Sequence, residues 1–160
     1  MAKEIMISRN FLQGHPMAGE ETFFVEKIWE ALWIIGVKAP RLLEGLEIHK
    51  NNCIQRCYIP KLHTIRKGHR FKVGDKVILK VWSGKPYRSK KIAISPEIEI
   101  KKIYSFEIIG SDYILNDEIL DLASLRVLAQ NDGLSSDDFE NWFNVDEFDG
   151  QVICWGDVNY

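Results

Sequence analysis

Apolar residues recur at helical spacing in the first quarter of the chain. The stripe follows two acidic residues, Glu20 and Glu21, and ends just before Gly36. Its members are Phe24, Val25, Ile28, Trp29, Leu32 and Ile35. Acidic side chains suit a first helical turn, and glycine suits the position after a last turn. The pattern therefore predicts an amphipathic helix whose apolar stripe lies in the core.

Two further helices are predicted in the last third of the chain. Leucines spaced over residues 121–130 indicate a helix, and the Asn131-Asp132-Gly133 triplet after them is a strong stop and turn signal. A short helix is then predicted to start at Ser135 or Ser136, because a serine hydroxyl can cap the free N–H groups of a first turn.

The rest of the chain shows the alternating or continuous apolar patterns of strands. These segments are residues 5–8, 63–66, 76–82, 92–94, 97–109 and 151–155. Residues 38–60, around Pro40, fit neither pattern and are predicted to be a loop insertion. Strands and helices do not alternate regularly, which favours an α+β fold. We expect a small, mostly antiparallel β-barrel with flanking helices, in a single domain over residues 1–160.

Composition indicates the compartment and argues against a metal site. The longest apolar run, residues 31–35, is too short to cross a membrane, and the first residues lack a secretory apolar region, so we expect a cytoplasmic protein with no membrane partner. Three cysteines fit a reducing compartment. Cys53 and Cys57, with His49 and His63 nearby, raise the question of zinc. Their CxxxC spacing is not that of a zinc knuckle, so free thiols, no metal and no cofactor are predicted.

Charge is distributed unevenly although the net charge is only −2. Residues 61–102 carry 13 basic and 3 acidic side chains, whereas residues 103–160 carry 1 basic and 13 acidic. A segment this basic can neutralise phosphates, so we predict a local basic groove. The alternative is that the acidic C-terminal segment folds against the basic one and cancels much of its field.

Basic and aromatic side chains are interleaved between residues 80 and 91. Trp82 and Tyr87 stand among several cations, and the candidate ligand contacts are Trp82, Lys85 and Arg88. Such a mixture can bind single-stranded nucleic acid through stacking and phosphate contacts. The alternative is a solvated hairpin whose aromatic residues pack inward.

The segment from Lys61 to Arg66 carries the densest chemistry in the chain. It holds an ammonium, an imidazole, a hydroxyl and a guanidinium within six residues. Strand alternation would send Lys61 and Thr64 to opposite faces, so a local twist or bulge is expected if both contact one ligand. His63 is interpreted as a structural or surface histidine.

The same segment resembles the ASCH family, which has a PUA-like barrel fold. Lys61, Thr64 and Arg66 match the last three fixed positions of a Gly-x-Lys-x-x-(Glu or Thr)-x-Arg pattern, and Ile59 occupies the glycine position. Four other stretches, in the same order along the chain, look like phage and prophage-borne members. They are residues 14–20, 71–75, 128–133 and 150–155.

This resemblance implies a cleft that accepts RNA or a modified nucleotide. Some family members are amidohydrolases that act on N4-acetylcytidine with a lysine, a threonine and a glutamate. Lys61 and Thr64 fall on the first two positions, and Asp132, one methylene shorter than glutamate, lies near the third. Arg66 and His15, the latter in a His-Pro-x-Ala-Gly loop, are implied ligand contacts.

Three functions are compatible with these features. The first is a module that binds RNA or a nucleotide in a basic cleft. The second is an amidohydrolase with catalytic residues Lys61, Thr64 and Asp132, in which a neutral Lys61 activates the threonine hydroxyl. The third is an accessory protein that acts through protein contacts with an unknown partner. We favour the first, with the amidohydrolase as the alternative.

Overall fold

The computed structural model describes residues 1–38 and 58–160, which form three helices and nine strands. The helices are α1 (Phe24–Ile34), α2 (Leu122–Asn131) and α3 (Ser136–Trp142). The strands are β1 (Lys3–Met6), β2 (His63–Lys67), β3 (Lys76–Trp82), β4 (Lys91–Ala93), β5 (Ile98–Glu99), β6 (Lys102–Ile109), β7 (Asp112–Leu115), β8 (Glu118–Ile119) and β9 (Glu147–Cys154). The α+β class predicted from the sequence is confirmed.

The described strands form two sheets. In the first sheet β3 pairs with β1 in parallel and with β4 and β5 in antiparallel orientation. The second sheet is antiparallel throughout, with the order β2-β9-β6-β7-β8. The chain passes between the sheets at Ile100, whose N–H donates to Asp75, while the N–H of Lys101 donates to Cys154 of the second sheet.

The mostly antiparallel sheets are confirmed, but they do not close into the predicted barrel. Among the described strands, β2 pairs only with β9 and β1 pairs only with β3, so no ladder of hydrogen bonds joins the two edges. A side chain joins them instead, since the guanidinium of Arg66 in β2 donates to the carbonyl of Met6 at the end of β1. A barrel needs backbone pairing around its whole circumference, which this gap prevents.

The helix signals of the C-terminal half are confirmed. Asp121 caps α2 through a hydrogen bond from the Ser124 N–H, and Ser135 caps α3. At the end of α2 the N–H of Gly133 donates to Gln130 and that of Leu134 to Ala129, the paired bonds of a Schellman motif. Gly133 has φ +81°, the left-handed conformation that this motif places on glycine.

The first helix starts at the first residue of its apolar stripe, later than the prediction that Glu20 and Glu21 lie in its first turn. Glu21 forms a β-bridge with Asn10, and the Thr22 hydroxyl donates to the carbonyls of Ser8 and Arg9. These bonds tie Glu21 and Thr22 to the segment after β1, and Phe23 has φ +57°, so α1 begins only at Phe24.

The predicted strand over residues 97–109 is two strands, β5 and β6, because the chain changes sheets between them. The strands β7 and β8 were not predicted. Between them Asn116 and Asp117 have φ +47° and +66°, which is the backbone of a tight hairpin turn.

One core is shared by both sheets and the helices. Its fully buried side chains include Ile28, Leu32, Leu79, Ile94, Ile100, Phe106, Leu128, Phe139, Ile153 and Trp155. Most of the predicted insertion, with Cys53, Cys57 and His49, lies outside the described residues. No helix in the described part is long and apolar enough to cross a membrane.

Candidate functional site

A cavity of about 710 Å³ opens where the two sheets fail to join. Its walls come from residues 6–13 after β1, the start of β2, the β3–β4 connection, the start of α1 and the end of α3. The residues that line it and are used below are Arg9, Phe11, Phe24, Lys61, Thr64, Arg66, Trp82, Tyr87, Asp132 and Trp142. The volume lies within the range of about 300–1,000 Å³ typical of small-molecule sites.

Lys61 lies before β2, at a junction between two helices. Its backbone N–H donates to the carbonyl of Lys27 in α1 at 2.9 Å, and the N–H of Leu62 donates to Asn131 at the end of α2 at 2.8 Å. The strand itself begins at His63. Lys61 is therefore free of strand alternation and reaches the same cavity as Thr64 without the bulge expected from the sequence.

Lys61 and Asp132 form a buried pair at the base of the cavity. The ammonium Nζ donates to Asp132 Oδ1 and to the Asp132 carbonyl, both at 2.6 Å. The two residues are only 2 % and 4 % exposed. The ring of Phe24 lies 4.2 Å from Nζ and adds a cation–π contact.

Opposing effects act on the protonation of this pair. Burial lowers the pKa of Lys61, with further lowering from Arg66 and Lys27, while Asp132 raises it. Burial raises the pKa of Asp132, and Lys61 and Arg66 oppose that rise. The carbonyl of Asp132 also belongs to the negative end of α2, which favours the charged ammonium. The pair is thus closer to sharing its proton than an exposed ion pair is.

Arg66 brings a second cation to the cavity. One guanidinium nitrogen donates to the Met6 carbonyl, and the buried Nε has no hydrogen-bond partner among residues 1–38 and 58–160. No carboxylate of these residues lies within 4 Å of the guanidinium, so Arg66 is not paired with an acid of the C-terminal segment there. Burial lowers its pKa, with Asp132 opposing. Arg9 also lines the cavity.

His63 is a structural residue in position but an unusual one. It is fully buried, and in the described part of the molecule neither ring nitrogen makes a hydrogen bond of ordinary geometry. Its Nδ1 lies 3.5 Å from Asp132 Oδ1, the oxygen that Lys61 holds. Burial and the Lys61 charge lower the pKa of His63 well below its ordinary value, so the ring is neutral.

Aromatic rings form the outer wall of the cavity. Trp82 and Tyr87 contact each other with ring centroids 5.4 Å apart, and Tyr87 is largely exposed at the mouth. Tyr87 has φ +63°, a conformation that bulky residues rarely adopt. The predicted contacts Lys85 and Arg88 lie on the same connection, exposed and outside the cavity lining.

The structure places His15 behind the cavity wall rather than in it. The residue is 6 % exposed and stacks on Phe11 at 4.4 Å between centroids. Its Nδ1 accepts from the Met17 N–H, and Nε2 lies 3.3 Å from the Asp138 carbonyl. His15 thus supports the wall through Phe11.

Several lining residues had no signal in the sequence. Phe24 and Trp142 belong to apolar helix faces that the pattern assigns to the core, and Arg9 is a single charge after a strand. Only the meeting of α1, α3 and the end of β1 puts them on one cavity.

The described residues contain no group of three or more side chains suited to hold a metal ion. Comparison of the chain with protein-family models, with curated proteins and with solved structures gives no match. The resemblance to the ASCH family therefore stays a prediction.

Proposed function

We propose that the cavity binds a nucleotide, as a free molecule or as part of an RNA strand, with its phosphate at Arg66 and its base against the aromatic wall. The observation that carries the proposal is the half-buried guanidinium of Arg66, whose Nε is fully buried without a hydrogen-bond partner and which lacks a carboxylate partner in the described structure. An unpaired buried charge is costly, and a phosphate oxygen would supply the missing counter-charge and accept from Nε.

The charge balance of the lining also favours an anion. Lys61 and Asp132 cancel as a pair, whether the proton lies on nitrogen or on oxygen. Arg9 and Arg66 remain as the two lining cations without a carboxylate within salt-bridge distance in the described structure, although Glu26 lies near Arg9. We therefore take the guanidinium groups of Arg9 and Arg66, which line one cavity, as the basic site that the sequence predicts.

The aromatic wall suits a planar base. Trp82 and Tyr87 form the outer part and Phe24 and Trp142 the inner part, and base–aromatic stacking contributes about 1–3 kcal/mol per base. Lys85 and Arg88 lie beyond the mouth, where they suit neighbouring phosphates of a single strand. We expect neither residue to contact a free nucleotide. Substitution of Lys85 and Arg88 should therefore weaken RNA binding and leave mononucleotide binding unchanged.

A binding titration tests the proposal. Cytidine, cytidine monophosphate and a short single-stranded RNA are titrated at two salt concentrations. Arg66→Met should weaken monophosphate binding by about 10-fold or more while changing cytidine binding little, because a charge-assisted hydrogen bond contributes about 1.5–3 kcal/mol. Lys76→Met is the matched control, since Lys76 pairs with Glu99 away from the cavity. Equal affinity of wild type and Arg66→Met for the monophosphate would refute the proposal.

A second candidate function is amide hydrolysis of an N4-acylated cytidine. It is favoured by the position of Lys61, Thr64 and Asp132 on one cavity and by the burial that lowers the pKa of Lys61. A neutral Lys61 would take the proton of the Thr64 hydroxyl as its oxygen attacks the acyl carbon. The proton then passes to the departing exocyclic nitrogen, and water hydrolyses the acyl-threonine ester.

Turnover of N4-acetylcytidine, followed by chromatography, separates the two functions. If the second holds, Thr64→Ala abolishes product while ligand binding survives, and Lys61→Ala abolishes product as well. Absence of product from wild-type protein, together with nucleotide binding, would leave the cavity as a binding site.

A further inference from the structure

His63 is the buried polar side chain that the binding scheme leaves unexplained. It is 0 % exposed, and among residues 1–38 and 58–160 neither ring nitrogen makes a hydrogen bond of ordinary geometry, although the Leu128 carbonyl lies close enough to oppose the lowering of its pKa. Buried polar atoms without partners are rare and destabilising, so an apolar side chain would serve packing better here. The imidazole therefore has a role other than filling space.

The surroundings of His63 point to that role. Its Nδ1 lies 3.5 Å from Asp132 Oδ1, about 0.6 Å beyond an ordinary hydrogen bond. The Tyr160 ring makes a T-shaped contact with the imidazole, with centroids 5.8 Å apart, and the Leu128 carbonyl also lies close to the ring. Cys154 is the partner of His63 across the sheet. The charged groups that face His63 are thus Lys61 and Asp132.

Ligand binding changes what Asp132 requires. Lys61 lines the cavity, so an anion or carbonyl oxygen that accepts from its ammonium draws Nζ away from Asp132 Oδ1. The buried carboxylate then needs another donor. In the described structure, no other lysine, arginine or histidine nitrogen lies within 4 Å of it.

We propose that His63 is a positioning residue that replaces Lys61 on Asp132. In the free protein the neutral imidazole holds its proton on Nδ1, facing Oδ1 at a long distance. When Lys61 turns to a ligand, Nδ1–H moves into hydrogen-bond range of Oδ1 and keeps that carboxylate oxygen hydrogen-bonded. No proton is transferred, and His63 itself does not contact the ligand. This assignment rests on the proposed function and adds one contact to it, because Lys61 must leave Asp132 and donate to the bound nucleotide.

The tautomer of His63 tests the first half of the proposal without any ligand. Two-bond proton–nitrogen NMR correlations distinguish an imidazole protonated on Nδ1 from one protonated on Nε2, and His63→Asn assigns the signal. We expect a neutral ring with the Nδ1 proton from about pH 5 to about pH 8. In Lys61→Met, at a pH where Asp132 is ionised without its ammonium partner, the Nδ1 proton should shift downfield. A ring protonated on Nε2, or one that becomes charged near pH 6.5, would overturn the proposal.

Two substitutions test the second half. His63→Asn retains a donor near the position of Nδ1, whereas His63→Leu keeps the volume and removes both unsatisfied nitrogens. With cytidine monophosphate as the probe, His63→Leu should unfold at a higher temperature than wild type yet bind about 10-fold more weakly, the loss expected for one hydrogen bond to a charged group. His63→Asn should bind within about threefold of wild type.

A packing role predicts the opposite ranking, because leucine suits an apolar site and asparagine does not. Undiminished binding by His63→Leu would therefore overturn the proposal. If wild-type protein binds no nucleotide, the proposed function fails, while the tautomer measurement still decides the assignment of His63.

Discussion

The buried pair of Lys61 and Asp132 allows a quantitative test of the site. Nζ lies 2.6 Å from Oδ1, and both side chains are almost fully buried. Replacing one member leaves the other as an unpaired buried group, which usually costs about 3–5 kcal/mol. Replacing both by apolar side chains removes the charges together and is far less destabilising.

We expect Lys61→Met to lower the free energy of unfolding by about 3 kcal/mol at neutral pH, the lower end of that range because Asp132 can take up a proton. For a chain of this length the melting temperature falls by about 9 °C. Asp132→Leu should cost about the same. The double variant should lose only about 2 kcal/mol, which gives a coupling energy of about 4 kcal/mol.

Urea unfolding followed by tryptophan fluorescence measures all four proteins. Trp155 is a suitable reporter, because it is buried and its indole N–H donates to the Lys61 carbonyl. Equal m-values across the set confirm that the same surface is exposed on unfolding. A coupling energy below about 1 kcal/mol would match an exposed salt bridge and refute the reasoning.

The pH dependence of Lys61→Met follows from the pKa of Asp132. Burial raises that pKa in the folded protein, and loss of Lys61 removes the largest opposing effect. The folded state therefore binds a proton that the unfolded state releases. Its stabilising contribution is complete below the unfolded pKa of about 3.9 and is lost as the pH rises through the folded pKa. The variant should accordingly be closer to wild type in stability at pH 5 than at pH 8, and the reverse order would contradict the assignment.

Two further predictions concern the frame of the site. Gln151→Met should cost about 2–4 kcal/mol in urea unfolding, because the Gln151 amide satisfies both the N–H and the carbonyl of Phe71 in a buried position; a loss under about 0.5 kcal/mol would show that water replaces it. Gly133→Ala should cost more than about 1 kcal/mol, since the residue has φ +81° and the added Cβ would lie 3.2 Å from Lys27 Cδ. It should also weaken nucleotide binding, because the same Cβ would lie 3.4 Å from Lys61 Cβ at the base of the cavity. The control is Gly110→Ala, at φ +61° with open space around it, which should lose stability but not binding.

Sequence patterns predicted best those elements whose signals are local. The alternation over residues 76–82 gives β3 with its observed bounds, and the Asn131-Asp132-Gly133 stop places the end of α2 within one residue. Both depend on residues within one turn or one strand. The predicted start of α1 was wrong because it depends on contacts that are not local. Glu21 and Thr22 bond to a segment about 12 residues earlier in the chain.

The barrel was predicted wrongly because the closure of a sheet depends on pairing between strands that are far apart in the sequence. Nothing local to β1 or β2 states whether their edges meet, and the guanidinium of Arg66 occupies the gap. The candidate site was predicted where one segment carries it, at Lys61, Thr64 and Arg66. The lining residues on other elements were not predicted. Phe24 in α1 and Trp142 in α3 are examples.

Arg66, which lies between the edges of the two sheets, affects whether Lys61 can act as a base or only bind a ligand. Burial and the charge of Arg66 favour a neutral Lys61, whereas Asp132 and the end of α2 favour its ammonium form. A phosphate at Arg66 would cancel that positive charge and stabilise the ammonium, which binds but does not activate a hydroxyl. An uncharged acylated nucleoside would leave the field of Arg66 in place and keep Lys61 closer to a base. We therefore expect the proposed site to bind phosphorylated nucleotides without reaction. Turnover, in the second candidate function, is expected only for uncharged acylated nucleosides.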